Sequence, residues 1–338
     1  MVASLKQIAR ECGVAISTVS RALNGHPNVN PATREQIVAT AARLGYRPNN
    51  AARALRSRSS STVGVVLPDM LNNFYAACTA VLQEQFEQRG YGMVLAVTRN
   101  DPSREREALH RLSSAQVEGL VLVPTSRRWE LPGPQVPVVE MNRHSSHSGV
   151  DVVQSEEREG AREVVEHLIG QGHERIAVIV GEQQFSTTLE RVDGARQALD
   201  AAGLPLPAPF LLYGQHTRAW GAQAFRAAWA LRPCPTAVFA ASSELALGAL
   251  HAAQRLGVSI PRDLSLVAFG DPDWFEVCQP PLTCFEQPLH EVGMIAAQLL
   301  LSRLSGEQAA PRASRVRVRG QLVVRESTAA PRVELLHR

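Results

Sequence analysis

The sequence predicts an α/β protein, with a small three-helix head, a short connecting segment, and a body of two doubly wound α/β subdomains. Three observations carry this reading. The first 46 residues hold only helix-period apolar stripes. From Ser61 onward, short apolar runs alternate with amphipathic helical stretches, and the series occurs twice. Charge is also segregated, because Lys6 and eight arginines among residues 1–60 meet only Glu11 and Glu35, a net of +7 that leaves −4 for the rest of a +3 chain. A compact basic head on a mildly acidic body is the electrostatic footprint of phosphate binding.

Within the head, Leu5, Ile8, Ala9 and Cys12 form an i, i+3, i+4, i+7 stripe. Ser4 with Gln7 three residues on is a capping-box start for that helix. Gly13 supplies the turn, and GVAISTVSRALN over Gly13–Asn24 reads as the turn and second helix of a helix-turn-helix. In that second helix Val19, Ala22 and Leu23 can pack inward, while Ile16, Ser17, Ser20 and Arg21 share the opposite face. The third helix opens on Asn30 and Pro31, carries Ile37, Ala41 and Leu44 on one side, and stops at Gly45. Three helices of this length bury a small common core and leave the second free to enter a major groove.

The connector NNAARALRSRSSST, residues 49–62, has a helix-capable front half in which Arg53 and Arg56 flank Leu55, followed by a Ser/Arg-rich stretch. A plain tether is the alternative reading of this segment. The expected boundaries are a head over 1–48, a connector over 49–60 and a two-lobed body over 61–330. In the first half of the body, STVGVVLPD, YGMVLAVTR, VEGLVLVPT and PVVEMNR read as strands, with helices over about Phe74–Arg89 and Pro102–Ala115. In the second, RIAVIVG, PFLLYGQ, TAVFAAS and LSLVAFGD alternate with helices near 156–171, 188–202, 217–231 and 243–256. A long helix over Leu289–Leu304 precedes two final strands, RVRVRG and QLVVRES. Each half presents strand ends that can face a cleft.

Composition narrows the function. Hydrophobic residues at 45% and charged residues at 20% suit a globular chain. No apolar run reaches membrane-spanning length and no secretory leader precedes the head, so the expectation is a cytoplasmic protein that engages no membrane. Five scattered cysteines without a CxxC spacing read as reduced thiols. No phosphate loop, nucleophile elbow or dinucleotide fingerprint occurs, so no enzyme and no cofactor are expected. His173 and Glu174 begin a zinc-like motif that fails at Ala177, and His144 and His147 in HSSHS read as exposed loop residues rather than metal ligands.

The strings SLKQIARECGVAISTVSRALNG and VNPATREQIVATAARLGYRPNNAARALR, with GHERIAVI and PPLTCFEQP later in the same order, resemble the LacI/GalR repressor family over nearly the whole chain. The resemblance implies a helix-turn-helix head, a hinge helix, and a body of periplasmic-binding-protein type whose halves are joined by three chain crossings. It implies contact with double-stranded, pseudo-palindromic operator DNA through Ser4, Ile16, Ser17, Thr18, Ser20, Arg21, Asn24 and Asn28. In the connector it implies contact through Asn49, Arg53, Leu55 and Arg56, with Leu55 wedged into the minor groove of a bent operator. Arg21 is the best-suited base reader, because its planar fork matches O6 and N7 of guanine. Ala15 departs from the family, which usually has Ser or Thr there as helix cap.

The resemblance also implies a homodimer and a cleft for a small-molecule effector lined by Asn72, Phe74, Tyr75, Asn142, Arg191, His216, Ser242, Ser243 and Asp271. Phe74 and Tyr75 read equally well as helix-core residues, and Arg191 reads alternatively as a surface salt bridge. Asn142, the Ser242–Ser243 pair, and Gly270 before Asp271 stand where acids or amides are common in sugar-binding relatives. That pattern, with PVVEM and FGD, resembles the branch that senses sugar acids such as gluconate. The implied function is a transcriptional regulator, a repressor, controlled by a metabolite; the alternative is a periplasmic-type solute-binding protein.

Overall fold

A computed structural model describes residues 4–23, 28–46, 60–133, 135–306 and 313–332. The chain divides into two compact units, Met1–Ser60 and Ser61–Arg338.

The first unit holds helices Leu5–Cys12, Ile16–Leu23 and Pro31–Arg43. Ser4 accepts a hydrogen bond from the Gln7 amide, and Gly13 ends the first helix at φ 67°, a left-handed conformation that glycine adopts without steric cost. Asn30 caps the third helix by accepting from the Ala32 amide at 2.9 Å, with Pro31 at the first position. The stripes converge on Ile8, Val19 and Ile37, each fully buried, with Ala9, Ala22, Val29 and Ala41 around them. Burying a side chain of that size contributes about 1.5–3 kcal/mol, which is how a unit this small holds together.

The second unit has two six-stranded sheets. The first runs β11-β5-β4-β3-β1-β2 and contains β1 (Thr62–Leu67), β2 (Gly92–Val97), β3 (Gly119–Leu122), β4 (Val138–Met141), β5 (Asp151–Ser155) and β11 (Arg315–Val318). The second runs β12-β10-β9-β8-β6-β7 and contains β6 (Ile176–Val180), β7 (Leu211–Tyr213), β8 (Ala237–Ala240), β9 (Ser265–Phe269), β10 (Thr283–Glu286) and β12 (Gln321–Val323). All pairings are parallel except β10 with β12. Central strands such as β3, β6 and β8 are buried along their whole length, as sheets covered on both faces require.

Among the described residues the chain passes between the lobes three times. It crosses from β5 into the helix Glu157–Gly170 of the second lobe, from β10 into the helix Leu289–Ser305 of the first, and from β11 to β12. The predicted strands and helices form, mostly within two or three residues of the expected ends. Two strands, β5 and β10, go beyond the sequence reading. β5 carries Asp151 and Gln154, which are buried because Arg303 pairs with Asp151 and Glu190 accepts from Gln154. A polar strand is stable where each polar group finds a partner.

Candidate functional site

The head presents one coherent face. In the helix Ile16–Leu23, Val19 and Ala22 are buried, while Ile16 is 46% exposed and Ser17 and Arg21 are also exposed. Thr18 and Ser20 are half-buried at its margins, and Ser4 and Asn28 are exposed. Ala15 gives no side-chain cap, and its carbonyl accepts from the Thr18 and Val19 amides at 2.9 and 3.1 Å. Asn24, Asn49, Arg53, Leu55 and Arg56 lie outside the described residues.

In the body, a narrow cavity of about 50 Å³ lies between the lobes. From the first lobe come Pro68 and Asp69 after β1, Asn72, Phe74 and Tyr75 at the start of the helix Asn73–Gln88, Asn100 after β2, and Asn142 and Arg143 after β4. From the second come Thr187 and Arg191 on the helix Ser186–Ala201, and His216 after β7. The residues after β1, β2, β4 and β7 lie just beyond the ends of parallel strands, the usual place for a ligand in open parallel sheets.

Local chemistry fixes these side chains. Asn72 caps its helix by accepting from the Phe74 amide at 3.0 Å. Phe74 and Tyr75 are both buried in the first-lobe core and both line the cavity, so the two readings of this pair hold together. Asn142 sits at φ 65°, a region that asparagine tolerates better than most residues, and its amide nitrogen donates to the Tyr75 hydroxyl at 3.1 Å. Arg143 is 3% exposed; it stacks over the Phe185 ring at 3.6 Å, and its Nη1 donates to Asn100 Oδ1 at 2.7 Å. His216 Nδ1 lies 3.0 Å from Glu182 Oε2, and burial pushes its pKa down. Gly181 makes room for that ring, since a Cβ there would lie 1.7 Å from the His216 Cε1.

Arg191 lines the cavity but its charge is already spent. Its Nε donates to Glu157 Oε2 at 2.6 Å, its Nη1 to the Ala241 carbonyl, and its guanidinium stacks over Phe269 at 3.9 Å. The pair is buried, with side-chain exposures of 7% and 0%, so the surface salt bridge expected as the alternative is a core ion pair. Glu157 also accepts from Ser155 and, at 3.1 Å, from Gln287. Ser155 and Gln287 stand on two of the three crossings, so Arg191 ties the cavity to the hinge.

Ser242, Ser243 and Asp271, also expected at the effector cleft, are not among the residues lining this cavity. Ser242 accepts from the Leu245 amide to cap the helix Ser243–Leu256, and Ser243 is buried in the first turn of that helix. Asp271 is held in a two-pronged bond by Arg325 at 2.8 and 2.7 Å. Sequence reasoning missed Asp69, Asn100, Arg143 and Thr187. Arg143, adjacent to Asn142, was the one with a readable signal, a cation at a cleft position.

A second contact joins the lobes beside the cavity. Glu190, on the same helix as Arg191, accepts from Arg317 at 2.8 and 3.1 Å and from Gln154 at 3.0 and 3.1 Å, both residues of the first sheet. His144 Nε2 lies 3.4 Å from it. Burial alone would raise the Glu190 carboxyl, but the bonds from His144, Arg317 and Gln154 outweigh it and hold the group at about 2. The hydrogen bond to Glu190 raises His144. His147 stacks on Trp129 at 4.5 Å, so neither histidine is the exposed loop residue the sequence suggested.

Residues 4–49 match the family described as bacterial regulatory proteins, lacI family, and residues 165–328 match the periplasmic binding protein-like domain. Catabolite control protein A of Priestia megaterium is 32% identical over 312 residues, spanning 91% of this chain and 94% of that protein. The chain belongs to the LacI family. Its fold superposes on the lac repressor dimer bound to operator and the anti-inducer ONPF with a TM-score of 0.86, at 25% identity over 98% of this chain and 100% of the other. The transcriptional regulator CelR in complex with cellobiose is 32% identical and covers 96% of this chain and 99% of its own, at a TM-score of 0.73. As a LacI-family member the protein is a DNA-binding regulator, which decides against the solute-binding alternative, and its relatives are regulators rather than enzymes. Among the described residues no helix is long and apolar enough to cross a membrane.

Proposed function

We propose that the protein is a cytoplasmic repressor whose homodimer binds a pseudo-palindromic operator and whose DNA affinity is set by a sugar acid or similar sugar derivative in the interlobe cavity. The single observation that carries the DNA role is the helix Ile16–Leu23, packed on Val19 and Ala22 with Ile16, Ser17 and Arg21 turned to solvent in a strongly basic head. Such a face docks in a major groove, and paired heads on a dimer read two half-sites. Asn49, Arg53, Leu55 and Arg56 are proposed to form the hinge segment that reaches the minor groove, with 1–48, 49–60 and 61–330 as functional divisions.

Dimerisation is supported by β2, an edge strand whose Val94, Leu95 and Val97 are 43%, 37% and 39% exposed. An apolar edge of this kind invites pairing, and a second copy would cover it. Control by a ligand is supported by the crossings. Arg191 and Glu157 link cavity to hinge, so a ligand that favours one lobe arrangement shifts the population of DNA-competent dimers. The relatives named above include a complex with cellobiose, a carbohydrate.

Arg21→Ala tests the DNA role. It should weaken binding to the natural operator by about 1–3 kcal/mol more than binding to random duplex, measured at one fixed salt concentration. Equal losses on both DNAs would leave Arg21 a phosphate contact and overturn the base-reading role.

A further inference from the structure

Two buried polar atoms at the cavity have no partner among the described residues: Nε of Arg143 and Oδ1 of Asn142. Both residues are at least nine-tenths buried, at 3% and 5% exposure, and both line the cavity. A buried polar atom left without a partner is costly, more so when its group is charged, so a pair of them in one cavity marks groups held ready for a ligand. One is a cationic donor and the other a neutral acceptor. A molecule that satisfies both must bring an acceptor, bound most strongly when it is negatively charged, and next to it a donor such as a hydroxyl.

The charges around the cavity narrow the choice. Arg191 is neutralised by Glu157 at 2.6 Å, while Glu182 lies 3.0 Å from His216 and its charge also acts on Arg143 from a distance, without a hydrogen bond. Asp69 accepts from the Leu71 amide at 2.9 Å and is the carboxylate among the lining residues. Among the described residues no carboxylate bonds to Arg143, which donates to Asn100 Oδ1 and stacks on the face of Phe185. We propose that Arg143, and not Arg191, anchors the effector's anionic group, with Asn142 Oδ1 accepting from an adjacent hydroxyl, so that the ligand class is a small hydroxy carboxylate. The proposal rests on the effector reading given above and assigns its recognising atoms.

A carboxylate fits one free guanidinium, through two parallel hydrogen bonds and a single balancing charge. A phosphate ester would carry more charge than the site balances. Position matters as well, because Arg143 belongs to the first lobe while Phe185 precedes the helix Ser186–Ala201 of the second. An anion drawn to Arg143 therefore binds where the lobes meet. At about 50 Å³ the cavity holds a few waters rather than a hexose, so the lobes must part to admit the ligand.

The test uses the full chain and three pairs of probes: glycerate and glycerol, gluconate and glucose, galactarate and galactose, with glucose 6-phosphate as the phosphate arm. Calorimetric titration and thermal melting should find at least one acid that binds while its neutral parent does not. Arg143→Met keeps the length of the stem and should weaken that acid roughly ten- to a hundredfold, with melting in the absence of ligand close to wild type. Arg143→Lys should recover part of the loss. Unchanged acid affinity in Arg143→Met overturns this assignment alone and leaves the sugar-acid reading standing. Binding of a neutral parent or of the phosphate ester in preference to every acid overturns both, as does failure of all three acids to bind the wild-type protein.

Discussion

Replacing Arg191 by methionine removes the charge at the junction of cavity and hinge while keeping most of the side-chain volume. Glu157, fully buried, then loses the guanidinium 2.6 Å away and keeps only the bonds from Ser155 and Gln287. Breaking a buried pair from one side costs about 3–5 kcal/mol, because a charge is left without compensation in a poorly polarisable interior. The two surviving hydrogen bonds place Arg191→Met near the lower end, at about 3 kcal/mol. For a body of this size each kcal/mol lowers the melting temperature by about 2 °C, so scanning calorimetry of the body transition at neutral pH should find a drop of about 6 °C. The double variant Arg191→Met/Glu157→Gln should recover most of it, since the unpaired charge is gone. A single variant that melts within about 2 °C of wild type, or a double variant as unstable as the single, would refute the reasoning. The same result bears on ligand binding, because loss of effector response in an Arg191 variant reports damage to the hinge as readily as a missing contact.

Ile37→Ala empties the centre of the head and should cost about 2–5 kcal/mol there; operator binding falls sharply in gel-shift assays while the body transition is unmoved. At Gly194 a Cβ would lie 2.0 Å from the Arg158 carbonyl oxygen, so Gly194→Ala should force apart the helices Glu157–Gly170 and Ser186–Ala201 and destabilise the body by roughly 1–3 kcal/mol in denaturant titration. His173 is buried between Thr236, Ser265 and the Ala329 carbonyl, and burial lowers its pKa from 6.5 to about 4. The unfolded chain takes up that proton first, so the stability present above pH 6.5 is lost as pH falls toward 4, by roughly 3 kcal/mol at most. Melting followed against pH should show the decline, and His173→Asn should flatten it.

What the sequence determined on its own was periodic and local. Caps at Ser4 and Asn30, the turn at Gly13, and stripes ending on Ile8, Val19 and Ile37 are set by neighbours three or four residues away, so they were legible before any contact was known. The inward and outward faces of the helix Ile16–Leu23 follow from the same spacing, as does the alternation of strands and helices in the body. The cavity was different. Arg191 and Asp271 carry charges that the sequence leaves unassigned, and only the packing of distant elements gave one to Glu157 and the other to Arg325. Ser242 is claimed by its own helix start. Strands β5 and β10 are stable because polar residues within or beside them find partners more than a hundred residues away, such as Arg303 for Asp151 and Gln287 for Ser155. Periodicity fixes which face of an element is apolar. Which buried charge is already satisfied depends on groups from both lobes meeting in space, and that decision, leaving Arg143 and Asn142 with unspent atoms, belongs to the tertiary structure.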